Sequence, residues 1–188
     1  ILLLLLWEVV CRAFSIPQMI LPTATETFAA LWTFRAVIFD NALVTLWTTV
    51  VGFGLAIVVG VALGIGIGWH RAIYSAVYPI LVAFNSIPKV AVVPVLILWF
   101  GLGAMPAILT AFLISFFPII VNVATGLATV EPELEDVLRA LGAKKMQIMR
   151  KVGIPRSMPY FFGSLKVAIT LAFVGAVVAE TAGASKGL

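Results

Sequence analysis

Residues able to do chemistry are few in this sequence and widely scattered. It has one histidine, His70, and one cysteine, Cys11. A lone histidine cannot assemble a metal site, and a lone cysteine cannot close a disulfide within the chain. No glycine is followed by lysine, so the chain lacks the Gly-x-x-x-x-Gly-Lys loop whose amides and lysine cradle phosphates. Gly64-Ile65-Gly66 is too weak a match to count and lies in an apolar run. No Ser/His, paired-Asp or His-Glu-x-x-His arrangement suggests an intramembrane enzyme. The reading is therefore of a chain with no catalytic residue, no metal ligand and no cofactor of its own. What remains is charge set within apolar runs, at Lys89, Lys166 and Glu180. Such charges are costly in a bilayer and mark candidate sites by default.

The elements that must position them are membrane helices. Of 188 residues, 63% are hydrophobic and 11% charged, with mean hydropathy +1.19. A soluble domain carries roughly 25% charged residues, so this chain lacks the polar surface to coat itself in water. A span needs about 20 apolar residues. The runs 42–69 and 105–130 are uncharged and read as clear spans. Residues 160–182 form a last apolar run carrying Lys166 and Glu180, and 72–100 is apolar but interrupted by Pro79, Pro88, Lys89 and Pro94. Ile1 to Ala13 reads as a partial span and Phe14 to Asp40 as an extramembrane connector; both ends of the chain are expected to be truncated. The expected fold is all-α, one polytopic transmembrane bundle over 1–188.

Orientation follows from lysine and arginine in short loops. The segment Glu131 to Arg156 holds six of the twelve basic residues and is expected in the cytoplasm. Counting back puts Gly101–Gly103 outside, His70-Arg71 inside and 14–40 outside. The net charge of +4 is thereby accounted for, and no nucleic-acid partner is expected. On this placement Lys166 either snorkels to the inner surface or has a functional role, and Glu180 sits either at the outer interface or at a substrate site. Lys89 is either a snorkelling lysine near the cytoplasmic side or a cation lining a pathway that attracts anions. Pro88, Pro94 and Pro118 either line that pathway or simply kink helices.

Small residues recur every four positions in the clearest span, at Gly52, Ala56, Gly60, Gly64 and Gly68. That spacing lets helices approach closely, so this stripe is expected to pack against another helix. The loop after residue 130 is also patterned. Pro132 suits a first helical turn, acids follow it, and Leu134, Val137, Leu138 and Leu141 share one face. Gly142 fits a left-handed cap. A second stretch is read with Met146, Met149 and Val152 as its apolar face, ended by Pro155. Such a hairpin either lies on the inner leaflet or docks a soluble partner.

The loop resembles the EAA signature of bacterial ABC-importer permeases: Glu-Ala-Ala, three residues, Gly, nine residues, Ile-x-Leu-Pro. Here the match is Asp136-Val137-Leu138, Arg139-Ala140-Leu141, Gly142-Ala143, and Val152-Gly153-Ile154-Pro155. The departures are Asp136 for Glu and Val137-Leu138 for the two alanines. Ile20-Leu21-Pro22, Ile87-Pro88-Lys89-Val90-Ala91 with Pro94, Leu98 to Gly103, Phe116-Phe117-Pro118 and Ala179-Glu180 look like the nitrate/sulfonate/taurine branch. The resemblance implies a type I importer permease in the bacterial inner membrane, with residues 131–156 as the coupling loop. It implies a homodimer of permeases, a cytoplasmic ATPase that binds the ATP, and an external solute-binding protein. The implied cargo is a small anion such as a sulfonate, taurine or nitrate, or a vitamin precursor. It also implies one further span beyond Leu188. The competing reading is an ion-coupled secondary transporter or channel subunit, a class that places carboxylates within spans.

Overall fold

The computed structural model describes residues 1–183 and 187, and is helical with no strand among them. Leu188 lies outside the described residues. Two compact units divide the chain, 1–43 and 44–188.

The first unit holds α1 (Leu2–Ala13) and α2 (Ala24–Thr33). Thr23 caps α2 by a reciprocal box with Glu26: the Glu26 amide donates to Thr23 Oγ1 and the Thr23 amide to Glu26 Oε2. Glu8 on α1 accepts from the Thr25 amide at 3.0 Å and from Arg12 Nε at 2.7 Å. The stretch read as a connector is thus largely helical. The capping box supplies a start signal within it, and α3 (Arg35–Gly68) already begins before Asp40.

In the second unit, α3 packs along α6 (Ala104–Ala128) through the small-residue stripe. Gly52 meets Ala111, Gly60 meets Ile119, Gly64 meets Val123 and Gly68 meets Leu127. The partners advance together, so the two helices run parallel and in register. At Gly64 an added Cβ would sit 2.7 Å from the Val123 Cβ and 3.0 Å from the Ile120 carbonyl, so hydrogen is the only side chain that fits. Gly54 and Gly66, on the opposite side of α3, face open space. On its other flank α6 meets α9 (Ile154–Gly183) running antiparallel: Gly126 lies against Ser157, and Gly175 against Ala111. Ala56, Ile119, Val123, Leu127, Met149 and Ala168 form the buried core between these three helices.

Among the described residues, three helical stretches are long and apolar enough to cross a membrane: 35–68, 104–128 and 145–183. Between the first two lie α4 (Arg71–Asn85), a 3₁₀ turn (Lys89–Val92) and α5 (Val93–Phe100), with a bend of 69° at the break. Because α3 and α6 are parallel, the chain must return across the membrane between them. The bent pair therefore makes the return crossing.

Candidate functional site

Three groups of residues merit attention, starting with the loop after α6. Pro132 opens α7 (Pro132–Ala140) with Glu133 and Glu135 in its first turn. The helix ends where the sequence says it should. Gly142 adopts φ +84°, its amide donates to the Arg139 carbonyl at 2.9 Å and the Ala143 amide to the Leu138 carbonyl at 3.0 Å. These two bonds are the Schellman pattern, which satisfies carbonyls left unpaired at a helix end. Asp136 to Ala143 thus form one capped helix end. Its predicted apolar face is split: Leu134 and Leu138 are half-buried, whereas Val137 is 58% and Leu141 79% exposed.

The second stretch departs from the expected pattern. Only 145–148 (α8, Lys145–Ile148) is regular helix; Met149–Gly153 is a π turn that runs straight into α9. Pro155 does not stop the chain's helical course: the π turn ends just before it and the helix runs on through α9. The wider turn shifts the phase of the buried face. Ile148, Met149 and Gly153 are buried and Met146 is 61% exposed, so Met146, Met149 and Val152 do not share one face. Leu138, Leu141, Gly142, Gln147, Lys151 and Val152 line a groove of about 380 Å³ between α7 and α8.

Contacts that residue spacing did not suggest tie this loop to the spans. The Arg71 guanidinium donates to the Val130 carbonyl, Lys145 Nζ lies 2.8 Å from His70 Nδ1, and Arg156 pairs with Glu131 at 2.7 Å. The Arg156 hydrogen bond and charge hold the Glu131 carboxyl below its ordinary range. Each contact joins residues far apart in sequence, so no periodicity reports it.

The second group is the break between α4 and α5. Pro88 precedes the 3₁₀ turn and Pro94 lies in the first turn of α5; Pro94 therefore starts a helix rather than breaking one. Pro79 and Pro118 stay inside α4 and α6. Lys89 Nζ donates to the Asn85 carbonyl at 3.1 Å and to Asn85 Oδ1 at 3.0 Å, capping the end of α4. It also lies 5.3 Å from the centroid of the Phe117 ring, a cation–π geometry. Phe117 is near the middle of α6, so Lys89 sits at mid-depth. That level lies away from the ends of α3 and α6 that adjoin the loop, towards which a lysine snorkelling to the cytoplasmic side would have to reach. Beside it is a cavity of about 280 Å³ lined by Phe84, Ile87, Val92, Leu113 and Phe116.

The third is Glu180, expected at the outer interface. It is instead buried, 6% exposed, and accepts from Thr45 Oγ1 at 2.6 Å and Thr48 Oγ1 at 3.0 Å. The threonines of α3 give the carboxylate hydrogen bonds that the interface would otherwise supply, as burial of such a group requires. The Tyr74 hydroxyl is hydrogen-bonded to Thr125 Oγ1 at 3.0 Å.

Comparison with known proteins points one way. The family described as binding-protein-dependent transport system inner membrane component matches residues 56–188. The formylaminopyrimidine transport permease protein ThiX of Halalkalibacterium halodurans is 31% identical over 188 residues, covering 100% of this chain and 75% of that protein. The putative aliphatic sulfonates transport permease protein SsuC of Bacillus subtilis is 29% identical, covering 97% and 67%. Among solved structures, the inward-facing MetNI methionine ABC transporter superposes with a TM-score of 0.68 at 23% identity, over 82% of this chain and 78% of that one. That last likeness establishes the fold.

Proposed function

The chain belongs to the family of binding-protein-dependent transport system inner membrane components, the type I ABC-importer permeases, and on that premise we propose how this subunit works. It is a transport subunit and not an enzyme; hydrolysis belongs to a separate ATPase. That ATPase docks on the cytoplasmic loop at Asp136, Val137, Leu138, Arg139, Ala140, Leu141, Gly142 and Ala143, with Pro155 marking the loop's return to the membrane. The observation that carries this reading is the apolar side chain of Leu141, 79% exposed at the end of a capped helix beside an open groove. With Val137 also 58% exposed on the same helix, it offers an apolar surface suited to a partner.

Two copies form the pathway as a homodimer in the bacterial inner membrane, and an external solute-binding protein delivers the cargo. Lys89, Pro88 and Pro94 line that pathway. The cation at mid-depth, beside an apolar cavity, favours a small anion such as a sulfonate, taurine or nitrate over a neutral vitamin precursor. The stripe from Gly52 to Gly68 serves packing. Uptake by the permease–ATPase complex reconstituted in vesicles tests the substrate. We expect Lys89→Ala to lower anion uptake about tenfold, the worth of one charge-assisted hydrogen bond, with assembly intact and Lys89→Arg largely active. Unchanged uptake in an assembled Lys89→Ala complex contradicts the pathway role.

A further inference from the structure

A cavity of about 170 Å³ lies where the coupling loop meets the spans, lined by Trp69, Arg71, Val130, Glu135, Arg139 and Lys145. Three of these residues are cationic and one is anionic. Glu135 is already engaged by Arg139 at 2.6 Å, which leaves two positive charges in excess. Each cation is held in place by one bond yet keeps donors to spare. Arg71 gives one bond to the Val130 carbonyl and Lys145 contacts His70 Nδ1, out of five donors for an arginine and three for a lysine. The floor is apolar, with Ile148 and Met149 buried beneath. Its depth is set by the ends of α3 and α6, since Gly68, Leu127 and Ala128 also border it. That is the level at which helices leave the hydrocarbon for the headgroups, where an amphipathic ring such as Trp69 is favoured.

We propose that this cavity binds the phosphate of an anionic phospholipid headgroup from the cytoplasmic leaflet. Guanidinium and ammonium donors converging on one cavity suit a tetrahedral oxyanion, and the volume is ample for one. A free phosphate offers the same oxygens. The apolar floor and the position at the membrane boundary favour the lipid, whose chains continue into the bilayer. Bound there, the headgroup bridges the α3–α4 junction through Arg71, α7 through Arg139 and α8 through Lys145. It thereby braces the loop against the helices that loop must move.

Native mass spectrometry of the purified full chain, with phosphatidylglycerol and phosphatidylcholine as probes, tests this. We expect saturable phosphatidylglycerol binding that weakens about tenfold in Lys145→Gln and in Arg71→Gln, the loss of one charge-assisted hydrogen bond. Lys145 is near a helix start and exposed enough that its variant folds even if Arg71→Gln does not. Arg150→Gln, which removes an exposed charge of the same loop outside the cavity, is expected to bind as the parent does. Equal loss in Arg150→Gln overturns the site in favour of diffuse surface attraction. Full competition by inorganic phosphate, or equal binding of phosphatidylcholine, overturns the lipid assignment. The readout is lipid binding, so its failure leaves the transport reading untouched.

Discussion

The α3–α6 seam and the α7–α8 loop are built from the same kinds of residue but sorted in opposite ways. In the seam, small residues are turned inward and backbones come so close that Gly60 and Gly64 leave no room for a Cβ. In the loop, the large residues Val137, Leu141 and Met146 are turned outward, and the glycine, Gly142, has open space around it. Glycine serves shape in the first case and backbone conformation in the second. A membrane seam has no hydrophobic drive of its own and depends on close packing. A loop that leaves several apolar side chains exposed together offers a surface that a partner can cover. On the proposed reading, the seam is the fixed part of the molecule and the loop the part that the ATPase engages.

The sharpest way to break this comparison is to fill the seam. Gly64→Leu forces a branched side chain against Val123 and the Ile120 carbonyl and is expected to cost about 3 kcal/mol or more. The yield of folded protein by size-exclusion chromatography should collapse. Gly66→Leu, two residues on and facing open space, should leave it unchanged; similar losses in both would mean that α3 is merely intolerant of leucine.

A smaller effect belongs to Gly142. With φ at +84°, Gly142→Val strains the end of α7 by about 1–2 kcal/mol without meeting a neighbour. The expected result is normal insertion and yield but weaker ATPase capture and slower uptake, with Gly142→Asn intermediate. Normal uptake in Gly142→Val would show that the cap does not matter to coupling.

These two regions were also the most legible in the sequence, and for physical reasons. Close packing of parallel helices demands small residues at helical spacing, so the period from Gly52 to Gly68 shows on the page. A left-handed cap demands glycine, so Gly142 does too. The π turn at Met149–Gly153 was not legible, because Pro155 reads as a stop, whereas a π turn just ahead of it lets the helix run on. Burial of Glu180 was hidden because its partners, Thr45 and Thr48, come from a helix more than a hundred residues earlier. Of the prolines in the broken span, Pro79 is absorbed within α4 and Pro88 marks the break. Residue type alone does not distinguish them, and the break fixes the depth of Lys89.

The smallest expected effect is the pH response of the loop's outer tie. Arg156 holds the Glu131 carboxyl below its ordinary value of 4.5, so the bond favours the folded loop. A depressed carboxylate contributes fully above its unfolded value and loses that contribution as pH falls through the folded one. Both groups are exposed, so the change is local. The hydrogen-exchange protection factor at the start of α7, which divides out the intrinsic pH dependence of exchange, should be equal at mildly acidic and neutral pH and fall only below 4.5. Arg156→Gln should remove that step. A step that persists in Arg156→Gln would place the response elsewhere.

Photocrosslinking decides whether the ATPase docks on the outward face of α7. A photoreactive amino acid is placed at Leu141 and, in a second protein, at Phe173, an exposed apolar position on α9. Each permease is co-expressed with a candidate ABC ATPase in intact membranes. We expect a crosslink to the ATPase from position 141 and none from position 173. An ATPase that co-purifies with the permease yet never crosslinks from position 141 would contradict it.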